Sequence, residues 1–134
     1  MAIFGVGAFY DGRTDVSMDF LKRGVACVGW PKEDAPPLHN LLRRLHVGDI
    51  VYIKAHPPGR KLTVKAVGIV TNDNVTEHVD LGFGVPVKWI WRGSTVIAEA
   101  ANERYNVRNN TLYEEMSPEF QSRILKLLFK GMKS

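Results

Sequence analysis

The chain carries no catalytic constellation, and the residues able to do chemistry are aromatic and basic. His39, His46, His56 and His78 show neither the i, i+4 spacing of a helical zinc pair nor a cysteine companion, and His39 and His46 read as surface residues. Asp11, Asp15 and Asp19 recur every four residues, too widely for a calcium loop, and read as turn and cap residues. Cys27 stands in an apolar run and reads as an inert core thiol. No nucleophile elbow is present. The aromatics say more. Phe9 and Tyr10 close the first apolar run, Trp30 closes the second beside Gly29 and Pro31, and Phe83 sits between two glycines. At such positions a ring either plugs the end of a barrel or offers its face to a ligand. Flat nucleobases stack on such faces for about 1–3 kcal/mol each. Trp89 and Trp91 alternate within a later apolar run and read as core.

The cations are unevenly spread. Residues 1–70 carry 10 Lys/Arg against 6 Asp/Glu, whereas residues 71–134 carry 8 of each. Six of the basic residues fall between Arg43 and Lys65, with Asp49 as the one acid among them. That concentration is either a solvated surface or the footprint of a polyanion. Arg43, Arg44, Lys54, Arg60 and Lys61 are the residues that would meet phosphates.

These side chains must be held by a frame, and the strongest pattern in the chain supplies it. In Val47–Val70, two runs rich in Val and Ile, Ile50–Ala55 and Leu62–Val70, flank a Pro-Pro-Gly-Arg turn. Branched Cβ atoms suit a pleated sheet, so the stretch predicts a β-hairpin. Regular alternation would set Leu62, Val64, Ala66, Gly68 and Val70 on one face, with Thr63, Lys65, Val67 and Ile69 on the other. Before it, Ile3–Tyr10 predicts an opening strand, Asp11-Gly12-Arg13 a turn, and Val25–Trp30 a second strand. A short helix between them runs to Arg23, capped by Asp15 or Ser17, with Met18, Leu21 and Phe20 inward and Gly24 as its stop. Gly5 and Gly7 do not make a dinucleotide fingerprint, because Tyr10 stands where the third glycine belongs. Pro36 and Pro37 open a helix whose Leu38, Leu41, Leu42 and Leu45 follow helical spacing. After the hairpin, Thr71–Gly84 reads as a long loop, Val85–Trp91 as a strand, Gly93-Ser94 as a turn and Thr95–Ala98 as a further strand. Asn102–Leu112 reads as irregular. Ser117-Pro118-Glu119 starts a last helix with Phe120, Ile124, Leu127 and Leu128 as its apolar stripe.

At 134 residues the expectation is one domain over 1–134, of class α+β: a small mixed β-barrel of five to six strands with two or three flanking helices. Apolar content of 45% and charged content of 24% are those of a globular protein, and no apolar run approaches the ~20 residues of a membrane helix. The N-terminal stretch lacks the basic region of a signal peptide, so a cytoplasmic location is expected, with no membrane partner and no cofactor.

The arrangement as a whole resembles the PUA-like superfamily, especially EVE and YTH domains. FYDGRTDVSMDFLKRGVACVGW, a Leu-rich helix, GDIVYIKA…LTVKAVGIVTN and FGVPVKWIWRG carry the resemblance in order and spacing over nearly the whole chain. It implies a non-enzymatic reader that binds DNA or RNA carrying a modified base and flips that base into an aromatic pocket. Trp30 matches the cage Trp after the second strand, and Tyr10, Asp11 and Ser17 fall in the segment lining such a pocket. The second cage Trp of YTH domains lies in the loop before the late strand, where this chain has Phe83 as its one aromatic. That departure favours a modified cytosine over methylated adenine. Related ASCH-type folds include enzymes acting on RNA or modified nucleosides, for which Lys22 and Lys54 are the available lysines; a protein-interaction module is the remaining alternative.

Overall fold

The computed structural model describes residues 1–55, 61–98 and 110–133. Its centre is a seven-stranded sheet that curls into a half-barrel. The predicted hairpin lies in the middle of it. Strand β1 (Ile3–Gly7) pairs in parallel with β5 (Ile50–Ala55), and β5 pairs antiparallel with β6 (Leu62–Val70). The Pro-Pro-Gly-Arg turn, with Arg60, lies outside the described residues. Strand β8 (Gly82–Ala98) follows β6, and β4 (Val25–Val28) pairs with its first residues. On the far edge β9 (Leu112–Glu114) lies against β1.

Several local expectations are corrected. The opening strand breaks at the buried Ala8, and Phe9–Tyr10 (β2) instead forms a small ribbon with Thr14–Asp15 (β3). The break takes Tyr10 out of the main sheet and into this ribbon. The second strand stops at Val28, so Trp30 lies beyond its end. The presumed long loop holds a short strand, β7 (Thr76–His78), paired with the start of β8. Gly93-Ser94 makes no turn: β8 runs on for 17 residues. Leu112, expected in an irregular stretch, opens β9; residues 102–109 lie outside the described residues.

Regular alternation also fails within β6. Ile53 pairs with Ala66 but Lys54 with Val64, so Lys65 is the extra residue of a β-bulge. Beyond a bulge the two faces exchange. Ala66 and Val70 therefore face a first core, shared with Phe20 and Val28, while Leu62, Val64 and Val67 face a second, shared with Ile124 and Leu128. The re-aimed Lys65 meets Asp15, its Nζ 2.6 Å from Oδ2. A second irregularity, between Trp89 and Trp91 where β8 pairs with Gly68 and Val67, separates the two indoles expected on one face. Trp89 packs on the first core and donates from Nε1 to Phe20 O at 3.0 Å, whereas Trp91 packs on the second.

The helices close the two cores. In α1 (Ser17–Arg23) Phe20 is wholly buried, Leu21 half-buried and Met18 exposed, against the expectation for Met18. Burying one such ring contributes about 1.5–3 kcal/mol. Neither Asp15 nor Ser17 takes the N-cap position, which falls to Val16 with no side-chain cap; Asp15 instead accepts at Oδ1 from the Ser17 N–H at 2.9 Å. Helix α2 (Pro36–Leu42) ends before Leu45, which is buried all the same. Just after it the buried Asp49 ties two segments together, accepting from the N–H groups of Ala2 and His46 at 2.9 and 2.8 Å. Helix α3 (Pro118–Met132) has Ser117 as its cap and buries Ile124 and Leu128 over the second core. There Tyr52, Tyr113 and Glu115 form a buried polar chain, Tyr52 Oη donating to Glu115 Oε1 at 2.8 Å and lying 2.7 Å from Tyr113 Oη. Burial, followed by its two neighbours, raises the Tyr52 hydroxyl well above the ordinary tyrosine range.

Candidate modified-base pocket

Where β1 and β4 end and β8 begins, the half-barrel opens into a cavity of about 1070 Å³. One wall is β2, with Phe9 and Tyr10. A second is Gly29-Trp30-Pro31 beyond β4, and a third is the turn from Glu77 to Gly82. Thr111, just before β9, completes it.

Each ring is held by a distant part of the chain. Tyr10 Oη donates to Leu81 O at 2.7 Å, and its ring meets Phe20 edge-on, with centroids 6.3 Å apart. Burial, and secondarily Cys27, raises the Tyr10 hydroxyl far above its ordinary value, so it stays a neutral donor. Trp30 is 55% exposed and donates from Nε1 to Thr111 Oγ1 at 3.2 Å. Behind it, His39 Nε2 lies 2.7 Å from Trp30 O. A carbonyl only accepts, so this nitrogen carries the proton. His39 is 2% exposed rather than a surface residue, and it meets Phe83 edge-on at 5.6 Å.

Two glycines allow these approaches. A Cβ on Gly29 would come within 2.9 Å of the Tyr10 ring. Gly82 has φ near +90°, and its missing Cβ is what lets β8 start against the Val28 carbonyl.

The cavity brings together Tyr10, Asp11 and Trp30 of the residues expected from sequence. Asp11 stands in the β2–β3 turn with φ of 56°. Ser17 does not line the cavity; it is buried, and its N–H and hydroxyl both engage Asp15. Phe83 is set back as well, packed into the first core against His39. Cys27 is buried beneath, its thiol pushed up to about 12 by burial.

The expected phosphate contacts divide. Lys54 pairs with Gly7 at the cavity end of β1, and a Cβ on Gly7 would lie 3.7 Å from Lys54 Nζ and 3.8 Å from Thr111 O. The ammonium therefore stands close to the group that anchors Trp30, and also 5.7 Å from the Tyr113 ring centroid. Lys61 is exposed just before β6, at the same end of the sheet. Arg43 and Arg44 follow α2 on the way to Ile50, which pairs with Ile3 at the opposite end of β1. Neither lines the cavity, and Arg43 donates to Asn40 Oδ1 at 2.9 Å. Lys22, on the exposed side of α1, does not line it either.

Sequence reasoning missed Phe9, Thr111 and the Glu77–Gly82 turn. Phe9 is 62% exposed in a two-residue strand, an anomaly visible once β2 is seen to leave the sheet. The turn has a local signal in Asp80-Leu81-Gly82, where Asp80 and Gly82 both take positive φ. His78 within it is held below its ordinary pKa by burial and by nearby Arg23. Among the described residues no group of three or more His, Cys, Asp or Glu side chains is placed to hold a metal ion.

No family model and no curated protein matches the sequence. The structure is similar to the crystal structure of the YTH domain of the Zygosaccharomyces rouxii MRB1 protein in complex with N6-methyladenosine RNA, with a TM-score of 0.59 and 11% identity over 95% of this chain and 84% of that one. The chain thus has a YTH-like fold.

Proposed function

We propose that this protein is a non-enzymatic reader that draws a modified base of DNA or RNA out of its stack and holds it between Trp30 and Tyr10. The observation that carries the reading is the exposed Trp30 indole, fixed at Nε1 by Thr111, in the lining of a cavity that Tyr10 and Phe9 also line. The YTH-like fold supports it, since the similar domain was crystallised with methylated RNA. Assignment to the PUA-like superfamily belongs to the same reading.

Energetics say what the pocket must supply. Extruding a base costs a few kcal/mol, and one stacking ring returns about 1–3 kcal/mol. A single ring therefore only breaks even, and Tyr10, Phe9 and contacts to the base edge must supply the selectivity. Asp11 is an available acceptor for an exocyclic amine. A modified cytosine is favoured over N6-methyladenine, because the turn before β8 contributes no Trp and Phe83 is set back from the cavity. Lys54 and Lys61 are the cations at the cavity end of the sheet; Arg43 and Arg44 would meet a backbone only if it ran on past α2.

The test is a binding panel of single-stranded DNA and RNA oligonucleotides, each with one modified or plain base. The expected result is tighter binding of a modified oligonucleotide, with loss of that preference in Trp30→Ala. Equal binding of modified and plain strands by the unaltered protein would refute it.

A further inference from the structure

We infer that the cavity selects a base made cationic by alkylation of a ring nitrogen, of the 3-methylcytosine or 1-methyladenine kind, over its neutral isomer. The inference rests on the reader function proposed above and names the charge of its ligand. Three aromatic side chains, Phe9, Tyr10 and Trp30, face a rim whose charged groups are Asp11, Asp34, Glu77 and Asp80. No Lys or Arg stands among the described residues that line it. Among the described residues, none of those four carboxylates has an ion-pair or side-chain hydrogen-bond partner.

Stacking by itself ignores where a methyl group sits, because every base has a π face. A ring quadrupole does not ignore charge: it attracts a cation over its face. The carboxylates act in the same direction, and they repel phosphate, so the base rather than the backbone is the part admitted. The nearby cation, Arg23, lies outside the lining with its Nη1 donating to Val79 O at 2.7 Å, and after burial it helps to hold the His78 pKa below its ordinary value. Alkylation at the pairing edge also leaves the base unpaired beforehand, which lowers the cost of extrusion.

The experiment compares five single-stranded oligonucleotides identical except at one position, carrying 3-methylcytosine, 5-methylcytosine, 1-methyladenine, N6-methyladenine or unmodified cytosine, by fluorescence anisotropy. The cationic member of each isomer pair is expected to bind at least about tenfold tighter. The double variant Glu77→Gln/Asp80→Asn, whose fold is checked by circular dichroism, is expected to bring that ratio toward unity. Asn accepts the positive φ that Asp80 takes. If neutral isomers bind as tightly as cationic ones, the charge selectivity is overturned while the reader function stands. If no modified strand is preferred over the plain one, the reader function itself falls. A trimethyl-lysine peptide bound in place of all five oligonucleotides would overturn the inference in favour of a protein ligand.

Discussion

Trp30 Nε1 donates to Thr111 Oγ1 at 3.2 Å, joining residues 81 positions apart in the chain. The contact fixes the plane of an otherwise exposed indole. Thr111 is fixed in turn, because its carbonyl accepts from the Gly7 N–H at 2.8 Å. The end of β1 and the approach to β9 together set the angle of the ring. Replacing Thr111 by Val keeps the shape and removes the acceptor. Net hydrogen bonds contribute about 0.5–1.5 kcal/mol, so Thr111→Val is expected to weaken modified-base binding by about 2–10-fold. The thermal midpoint should hardly move, since the contact is exposed; a large fall in the midpoint would assign Thr111 to the fold instead.

His39 supports the same residue from inside. It is buried, touches Phe83 edge-on and engages the Trp30 carbonyl at 2.7 Å. His39→Ala leaves that carbonyl without its partner and opens space beside Phe83. A loss of about 2–3 kcal/mol is expected in urea unfolding, along with weaker binding. Unchanged stability would refute the role.

Gly29→Ala tests the close approach to Tyr10. The added Cβ would meet the ring at 2.9 Å, so the ring must move from beneath the Leu81 carbonyl. Binding is expected to fall more than stability. Tyr10→Phe removes the hydroxyl alone and should cost about 1 kcal/mol, with the Leu81 carbonyl left to water. If Gly29→Ala binds like the unaltered protein, the Tyr10 position does not matter to the site.

Acidification tests the link between Asp15 and Lys65. Burial raises the Asp15 pKa, but hydrogen bonds from Lys65 and Ser17 outweigh it and hold the group below its ordinary 3.8. A depressed carboxylate stabilises the fold fully above the unfolded value and loses that contribution as pH falls through the folded one. Asp15→Asn should therefore be less stable than the unaltered protein near neutrality, and the difference should shrink below about pH 4. A gap that stays constant on acidification would show that the ion pair contributes nothing.

Glu115→Ala tests the buried polar chain under α3. The carboxylate accepts from Tyr52 and from the Ser117 N–H at 2.8 and 3.2 Å, so its loss strands the buried Tyr52 hydroxyl on β5 and the half-buried Ser117 N–H at the start of the helix. A destabilisation of about 2–4 kcal/mol is expected by chemical denaturation. Modified-base binding at saturating protein stability should survive, because the chain lies in the second core and away from the cavity.

Much of the frame was legible because its signals are local. Val and Ile in Ile50–Ala55 and Leu62–Val70 specify strands whichever partners they meet, and Ser117-Pro118-Glu119 marks a helix start within three residues. Gly24 stops α1 where its spacing demanded. The YTH-like order of elements came from the resemblance instead, and the second strand, expected to run through Trp30, stops at Val28. Period-two alternation misled where the chain slips by one residue. Nothing around Lys65 announces a bulge, because a bulge is a mismatch between two strands and is no property of either one. Trp89 and Trp91 parted company for the same reason.

The sequence by itself therefore determined the hairpin strands β5 and β6, the strands β1 and β4 in outline and the three helices, since each depends on neighbours within a few residues. Only the tertiary structure decided which residues surround the Trp30 indole. Phe9, Asp34, Glu77 and Thr111 come from four separate segments, and they meet because β1 and β4 end at the opening where β8 begins. The same geometry packed Phe83 against His39, held Ser17 against Asp15 and carried Arg43 and Arg44 to the opposite end of β1. Side-chain type is written in the chain, but which charges share a cavity depends on strand order and register, which are settled only when the cores pack.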